Sequence, residues 1–524
     1  MVLELMGVEA SSLHIIAFFF VLYVVYKRAI YSRFISPLRY LPKPKTGLFP
    51  FSGISRLAQE PVTNIYLRHA KEIPNDGIIC VKGPLGSEEL LLTSGDAVAE
   101  VLVKSPFDYE RDGIIRHVLG GSDGVLFFGD ETHKQERKLG LQHLGARRVK
   151  SLYSMFWEKS LKVANLIALR QAHSGVADSE SSISDADLTY WFSRFALDNV
   201  IISVFGADLN ILGDPKNEMA SLFDQLFVPG SRMRIFFALM ATLPRWMVAC
   251  LPLSAIQTPL EAIEKLRQMC RQIVADKQDQ LRNMDDKSKP EDLLASLTQW
   301  EKFSSAELAI QVFMYILVGH ATVSSTATWT IYLLAKHPEL QRRLRNEINT
   351  HVHSSVPQDI SEEDLANLME NVPLLDAICN EALRLYPALH ITKRISTKFK
   401  HILGNEIPKG TPVILSAWVI NRSPHLWGPN SEEFHPERWI NDKTGSFNQR
   451  GGAVQDYCML SFGQGVKGCV GQEYARMELK ALVAAFVYAL HIELREPVGP
   501  VFPTEIPPSR PLRDMKFNLS KVEH

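Results

Sequence analysis

The chain has 524 residues, of which 46% are hydrophobic and 22% charged, and its formal net charge at pH 7 is −1. That length and apolar content suffice for a sizeable core, and length alone would allow about three domains. The near balance of acids and bases leaves no polybasic or acidic signature, so nucleic acid is not expected as a partner. Cys80, Cys250, Cys270, Cys379, Cys458 and Cys469 show no paired spacing, which argues against a disulfide framework and fits a reducing compartment.

The first apolar stretch runs uncharged from Ala10 to Tyr26, between Glu9 and Lys27. Its length lies at the short end of what crosses a bilayer, with Tyr23 and Tyr26 placed for one aromatic interface. A cleaved signal peptide fits worse, because Glu4 and Glu9 precede the run, no basic residue does, and no small-residue cleavage site follows. Lys27, Arg28 and Arg33 come after it, so the positive-inside rule leaves the remainder in the cytosol. The expectation is one membrane anchor over 10–27, then a basic, proline-rich hinge over 28–50. Pro37-Leu38-Arg39-Tyr40-Leu41-Pro42-Lys43-Pro44 reads as a stiff connector, since proline fixes φ and blocks helix.

Ile78 to Val81 and Glu89 to Thr93 are short strand candidates set off by Gly77, Gly83, Gly86 and Gly95. From about Ser151 onward amphipathic helical patterns dominate, broken by polar loops at Ser174–Asp187 and Asn283–Asp292. Leu222 to Trp246 carries Phe223, Phe227, Phe236, Phe237 and Trp246, and either dips towards a membrane or packs inside. Leu308 to Lys336 reads as a long apolar helix holding Gly319-His320-Ala321-Thr322-Val323-Ser324. By itself Thr322 would bond only to its own backbone. His320 stands roughly 200° around the helix axis from it and reads as structural.

Glu-x-x-Arg occurs as Glu264/Arg267, Glu339/Arg342, Glu381/Arg384 and Glu473/Arg476. Alone the motif means little, because an i, i+3 ion pair on a helix surface is commonplace. Near the C-terminus stands Phe462-Gly463-Gln464-Gly465-Val466-Lys467-Gly468-Cys469-Val470-Gly471. Glycines allow close approach to a flat ligand, and helical spacing from Gln472 to Leu490 puts Cys469 at a helix N-terminus, where a metal-ligating thiolate is favoured. A lone cysteine in such a turn would otherwise read as a small buried hydrophobe.

This loop resembles the haem-binding loop of the cytochrome P-450 family, Phe-x-x-Gly-x-Arg-x-Cys-x-Gly. Phe462, Gly465, Cys469 and Gly471 match in register, and Lys467 replaces the arginine. Asn-Glu-Ala-Leu-Arg around Glu381 and Arg384, then Pro436-Glu437-Arg438-Trp439, precede it in the family's order. The resemblance implies an α+β fold, mainly helical with small β-sheets, forming one haem-thiolate catalytic domain over 51–524 behind a single N-terminal transmembrane helix.

It also implies roles. Cys469 would be the axial ligand of haem b, Glu381, Arg384 and Arg438 a buried charge network, and Thr322 an aid to proton delivery. His133, Arg137, Arg394 and Lys467 would face the haem propionates, beside Phe462 and Gly471 of the loop. Ala321 departs from the pattern, which usually has an acid there. Ile114–Phe128, Phe313–Thr322, Ala388–Thr392 and the region of Phe502–Ile506 would meet substrate, and their composition implies an apolar small molecule. NADPH and flavins would act through a separate NADPH-cytochrome reductase, with the chain held by lipid at the endoplasmic reticulum and its catalytic domain cytosolic. Local details such as Gly-His-x-Thr look most like fungal members that tailor secondary metabolites. The reaction expected is oxygen insertion from O2. A haem-thiolate isomerase or dehydratase, working without external electrons, is the alternative that Ala321 favours, and a haem or lipid carrier without turnover is the third.

Overall fold

Residues 18, 19, 22, 23, 25–45, 61–83, 86–113, 117, 118, 130–173, 187–227, 231–285, 291–352, 360–495, 501, 503, 504, 508–511 and 515–522 are described by the computed structural model. Within this range the chain forms two compact units. The first takes Met1–Asp112, Ile391–Ser431 and Val454–Lys467; the second takes Gly113–His390, Glu432–Ala453 and Gly468–His524. The chain passes from one to the other inside the cysteine loop, after Lys467.

Short leucine- and isoleucine-rich runs build the first unit. Strands β1 (Ile78–Lys82), β2 (Glu88–Leu92), β3 (Tyr109–Arg111), β4 (Thr392–Ser396) and β7 (Pro412–Leu415) form a five-stranded sheet in the order β1-β2-β7-β4-β3. Only β2 and β7 run parallel; the other pairs are antiparallel. β5 (Lys400–Ile402) and β6 (Asn405–Ile407) make a separate hairpin. Ile79, Val81, Leu91 and Ile414 bury one face of the sheet. The two strands expected from sequence are present, with β1 extended to Lys82 and β2 beginning at Glu88.

Most of the expected anchor lies outside the described residues; Phe18, Phe19, Leu22, Tyr23 and Val25 within it are helical and exposed. The hinge differs from a plain spacer. Helix continues over Tyr26–Ile35, and Pro37 then opens a 3-10 turn to Tyr40 instead of barring helix, because the missing N–H costs nothing at a first helical position. Lys43 pairs with Glu88 at 2.9 Å, Ser36 Oγ donates to the same carboxylate, and Cys80 N donates to the Pro42 carbonyl at 2.9 Å. The connector is thereby fastened to β1 and β2.

The second unit is helical. Its labelled elements are α1 (Asp130–Leu144), α2 (Tyr153–His173), α3 (Leu188–Phe205), α4 (Glu218–Leu226), α5 (Ser231–Thr242), α6 (Ser254–Arg282), α7 (Ser305–Lys336), α8 (Pro373–Leu385) and α9 (Gln472–Ala489), with a small ribbon of β8 (Leu490–Leu494) and β9 (Phe517–Lys521). α7 is central and packs on α3, α6, α8 and α9. A capping box starts it, Ser304 Oγ accepting from Glu307 N while Glu307 accepts from Ser304 N. His337 ends it, since a residue before proline avoids helical geometry. Apolar residues all round make it a core helix. Among the described residues it alone is long and apolar enough to cross a membrane, yet most of it is buried inside the unit.

The run of hydroxyls along α7 is locally satisfied. Thr326, Thr328 and Thr330 each donate to the carbonyl four residues back, at 2.8–3.0 Å. In the aromatic stretch, Phe223 and Phe236 pack inside, while Trp246 is 68% exposed. Packing thus accounts for Phe223 and Phe236, while Trp246 faces outward.

Candidate active site

The cysteine loop begins in the first unit with two glycines in the left-handed region, Gly463 (φ +68°) and Gly465 (φ +69°). A Cβ on Gly465 would lie 2.2 Å from the Leu102 carbonyl oxygen, so both its backbone angle and its packing demand glycine. Asn421 holds the loop's entry, accepting from Leu460 N at 2.9 Å and donating to Ser461 Oγ at 3.0 Å. Arg111 Nη2 donates to the Lys467 carbonyl at 3.2 Å, and the Lys467 ammonium stands 5.0 Å from the Phe107 ring centroid. Phe462 is half-buried.

Arg111 also sits directly opposite Arg394 in the β3–β4 register. Arg394 is buried and donates Nη1 to the Lys393 carbonyl at 3.0 Å. Burial first, and then the neighbouring Arg111 charge, lower its pKa to about 9. Two guanidinium groups held together in a poorly solvated place favour an anion beside them. Arg111 carried no signal in the sequence, because only strand pairing brings it to Arg394.

In the second unit Gly471 caps α9, and Cys469 lies just before it, exposed and in no disulfide. Cys80, Cys270, Cys379 and Cys458 are buried, and burial raises their thiols, that of Cys458 to about 11. Exposure at a helix N-terminus separates Cys469 from these structural thiols. Arg137 Nη1 donates to the Gly468 carbonyl at 2.6 Å, bracing the residue before the cysteine. That bond was not legible in the sequence, which pointed Arg137 only towards a propionate. His133, one turn earlier on α1, is half-buried. A Cβ on Gly140 would come within 2.9 Å of the Val470 side chain, so α1 approaches the loop closely. The sequence also gave no sign of Glu136, whose fully buried carboxyl has neither oxygen paired among the described residues; burial pushes its pKa up to about 8.

On α7, Leu317, Val318, Gly319 and Thr322 are partly exposed within an otherwise buried stretch. Thr322 Oγ1 donates to the Val318 carbonyl at 2.8 Å, leaving its oxygen able to accept. Ala321 is buried and supplies no acid. His320 turns away: it is buried against Phe223 and Phe227, and Nδ1 donates to the Ile316 carbonyl at 2.7 Å. Burial lowers its pKa to about 3, so the ring is neutral.

Glu381 joins Arg384 and Arg438 in a network with no exposed member. Its Oε1 accepts from Arg384 Nη2 (2.7 Å), Arg438 Nε (3.0 Å) and His435 N (3.0 Å); Oε2 accepts from Arg384 Nε (2.8 Å) and Trp439 Nε1 (2.8 Å). Burial acts to raise the carboxyl, but the Arg384 bonds and the Arg384 and Arg438 charges outweigh it and hold it below the ordinary glutamate range. Other quartets behave differently. Glu264 reaches Arg271, Glu339 reaches His337, and Arg476 reaches Asn380.

Comparison with known proteins gives this geometry its setting. The family model for cytochrome P-450 matches residues 80–509. The chain belongs to the cytochrome P-450 family. It is similar to cytochrome P-450 monooxygenase ptmK of Penicillium ochrochloron, 32% identical over 519 residues that cover 97% of this chain and 99% of the relative. It is similar also to monooxygenase sphH of Aspergillus fumigatus, 31% identical with 91% and 87% covered, and to abl5 of Leptosphaeria maculans, 30% identical with 96% and 91% covered.

This P-450 chain has residues that fit the haem-thiolate cofactor its family implies. Cys469 offers a soft sulfur donor free of disulfide, and buried Arg394 lacks a carboxylate partner among the described residues, as a site for an anionic propionate requires. Of the expected substrate segments, most of Ile114–Phe128 and Phe502, Glu505 and Ile506 lie outside the described residues.

Proposed function

We propose that this cytochrome P-450 is a membrane-anchored haem-thiolate monooxygenase that inserts one oxygen atom of O2 into an apolar small molecule, in fungal secondary metabolism. The carrying observation is the exposed Cys469 thiol at the N-terminus of α9, on a loop whose Gly465 cannot accept a side chain. The names of the relatives and the span they cover support the same reaction.

Haem b, when bound, supplies the activation of O2, which no side chain can perform. Cys469 would ligate its iron as thiolate. Arg394, with Lys467, His133 and Arg137, would neutralise the propionates. The Thr322 hydroxyl would hold and pass a proton through the oxygen lone pairs that its bond to Val318 leaves available. Leu317 and Val318 would keep the neighbouring space apolar and aim the substrate, while Gly319 packs against Val200 of α3. Electrons would come from NADPH through a separate flavin-containing reductase. The 10–27 segment would anchor the chain in the endoplasmic reticulum membrane with the catalytic part in the cytosol.

The test reconstitutes full-length protein with reductase, NADPH and isotope-labelled O2 against a panel of terpenoids and polyketides. Label in one product, with Thr322→Val lowering product formed per NADPH at unchanged haem content, supports the reading. Buried Ala321, which places no acid beside Thr322, favours an isomerase or dehydratase as the second reading. Product formed equally well without NADPH would select it and reject the first.

A further inference from the structure

The last part of the chain runs beside the exposed strip of α7. Ser325 Oγ and Trp329 Nε1 both donate to the Ser509 carbonyl, at 2.8 and 2.6 Å, and Ser509 N donates to the Ala388 carbonyl at 2.9 Å. This clamps residue 509 to α7 within two turns of Thr322 and to the chain that follows α8. The next residue is Arg510.

Arg510 is 8% exposed, and its Nε and Nη2 have no hydrogen-bond partner among the described residues. Those two nitrogens form one edge of the guanidinium, with parallel N–H groups that match the two oxygens of a carboxylate. The guanidinium lies 5.1 Å from the Phe227 ring centroid, and Phe227 contacts both Phe223 and neutral His320.

Two acids act on Arg510 through their charge, and each has one oxygen engaged elsewhere. Asp224, at the end of α4, accepts Arg194 Nη1 at 3.0 Å, and Asp187 caps α3 through Thr189 N at 2.9 Å and Tyr190 N at 3.2 Å. A buried cation whose donors face no acceptor is costly in a protein interior, and a ligand that supplies the acceptor recovers the cost on binding. Through Ser509 the residue is held to α7 at Ser325, one turn from Thr322, and its guanidinium lies against the aromatic end of α4.

We propose that Arg510 is a specificity-determining residue that pairs with a carboxylate on the substrate, so that the enzyme prefers an apolar acid to the corresponding neutral ester or alcohol. The reaction class needed to supply such a substrate is one that releases a free acid, as hydrolysis of an ester or thioester does. The proposal rests on the monooxygenase reading only in placing substrate beside α7.

The test titrates purified, haem-loaded full-length protein with matched pairs, lauric acid against methyl laurate and abietic acid against methyl abietate. Binding is followed by the haem absorption shift and by equilibrium dialysis. The wild type should bind at least one acid about 10- to 100-fold more tightly than its ester. Arg510→Met should bring that acid down to the level of its ester with ester binding unchanged, and Arg510→Lys should keep part of the preference. Equal affinities for acid and ester in the wild type, or a preference that survives Arg510→Met, would overturn it. Should Arg510→Met fail to hold haem, the wild-type ratio and its partial retention in Arg510→Lys decide the matter. The reduced carbon monoxide spectrum reports separately on Cys469 ligation, so failure of the haem reading cannot be mistaken for failure at Arg510.

Discussion

Replacing Glu381 by glutamine changes one oxygen to an amide nitrogen and little else, which makes it a sharp probe of the buried network. Oε1 faces three donors and Oε2 faces two, so the amide oxygen settles on the Oε1 side. The new NH2 then points at Arg384 Nε and Trp439 Nε1, a donor set against donors at what were 2.8 Å contacts. Two guanidinium groups, on Arg384 at 0% exposure and Arg438 at 6%, lose their carboxylate. Removing one partner of a buried ion pair costs about 3–5 kcal/mol. For a unit of roughly 350 residues, the usual unfolding entropy per residue converts this to a fall in melting temperature of about 4–7 °C.

The assay is haem absorbance relative to protein absorbance, together with thermal melting. Glu381→Gln should show both the lower melting temperature and reduced haem content; Glu381→Ala should carry no haem. The linkage has a definite sign: the carboxyl is depressed in the folded state, so its contribution is present above the unfolded glutamate pKa and is lost as pH falls through the lower folded value. Wild-type protein should therefore lose stability in acid more steeply than Glu381→Gln. Normal haem content and an unchanged melting temperature in Glu381→Gln would refute the reasoning.

Glu478 is the opposite case. It is buried with only Oε1 paired, to Asn199 Nδ2 at 2.8 Å, and burial pushes its pKa up to about 8. The folded state keeps a proton that the unfolded chain releases, so stability should fall between about pH 4.5 and 8 by up to ~1.4 kcal/mol per pH unit. Glu478→Gln should be the more stable form at pH 8, by a margin that shrinks towards pH 5; parallel melting curves at both pH values would contradict this. Gly465→Ala combines a left-handed backbone with a Cβ 2.2 Å from Leu102 O, and should lower haem retention by shifting the loop; undiminished retention would show that the loop tolerates movement. Arg394→Gln should speed transfer of haem to apomyoglobin while leaving the sheet folded, and an unchanged transfer rate would remove Arg394 from the propionate site.

Local signals in the chain were sufficient for the loop, the first two strands, α7 and α9. Gly465 and Cys469 are informative because backbone freedom and a soft donor are properties of the residues themselves, and α7 announces itself by its apolar composition from Leu308, short of its capped start at Ser304. Resemblance then ordered the motifs and singled out Glu381 from four identical quartets. Why that quartet differs is tertiary: Trp439, Arg438 and the backbone at His435 reach Glu381 from more than 50 positions away. The same holds for Arg137, which braces Gly468 across 331 positions, for Arg111, which meets Arg394 only through strand register, and for Pro37–Pro44, which docks on Glu88. Periodicity, caps and glycines act within a few residues, so sequence determines elements and reactive groups. Which buried charges meet, and which, like the Nε and Nη2 of Arg510, find no acceptor among the described residues, is decided when distant segments pack and desolvate them.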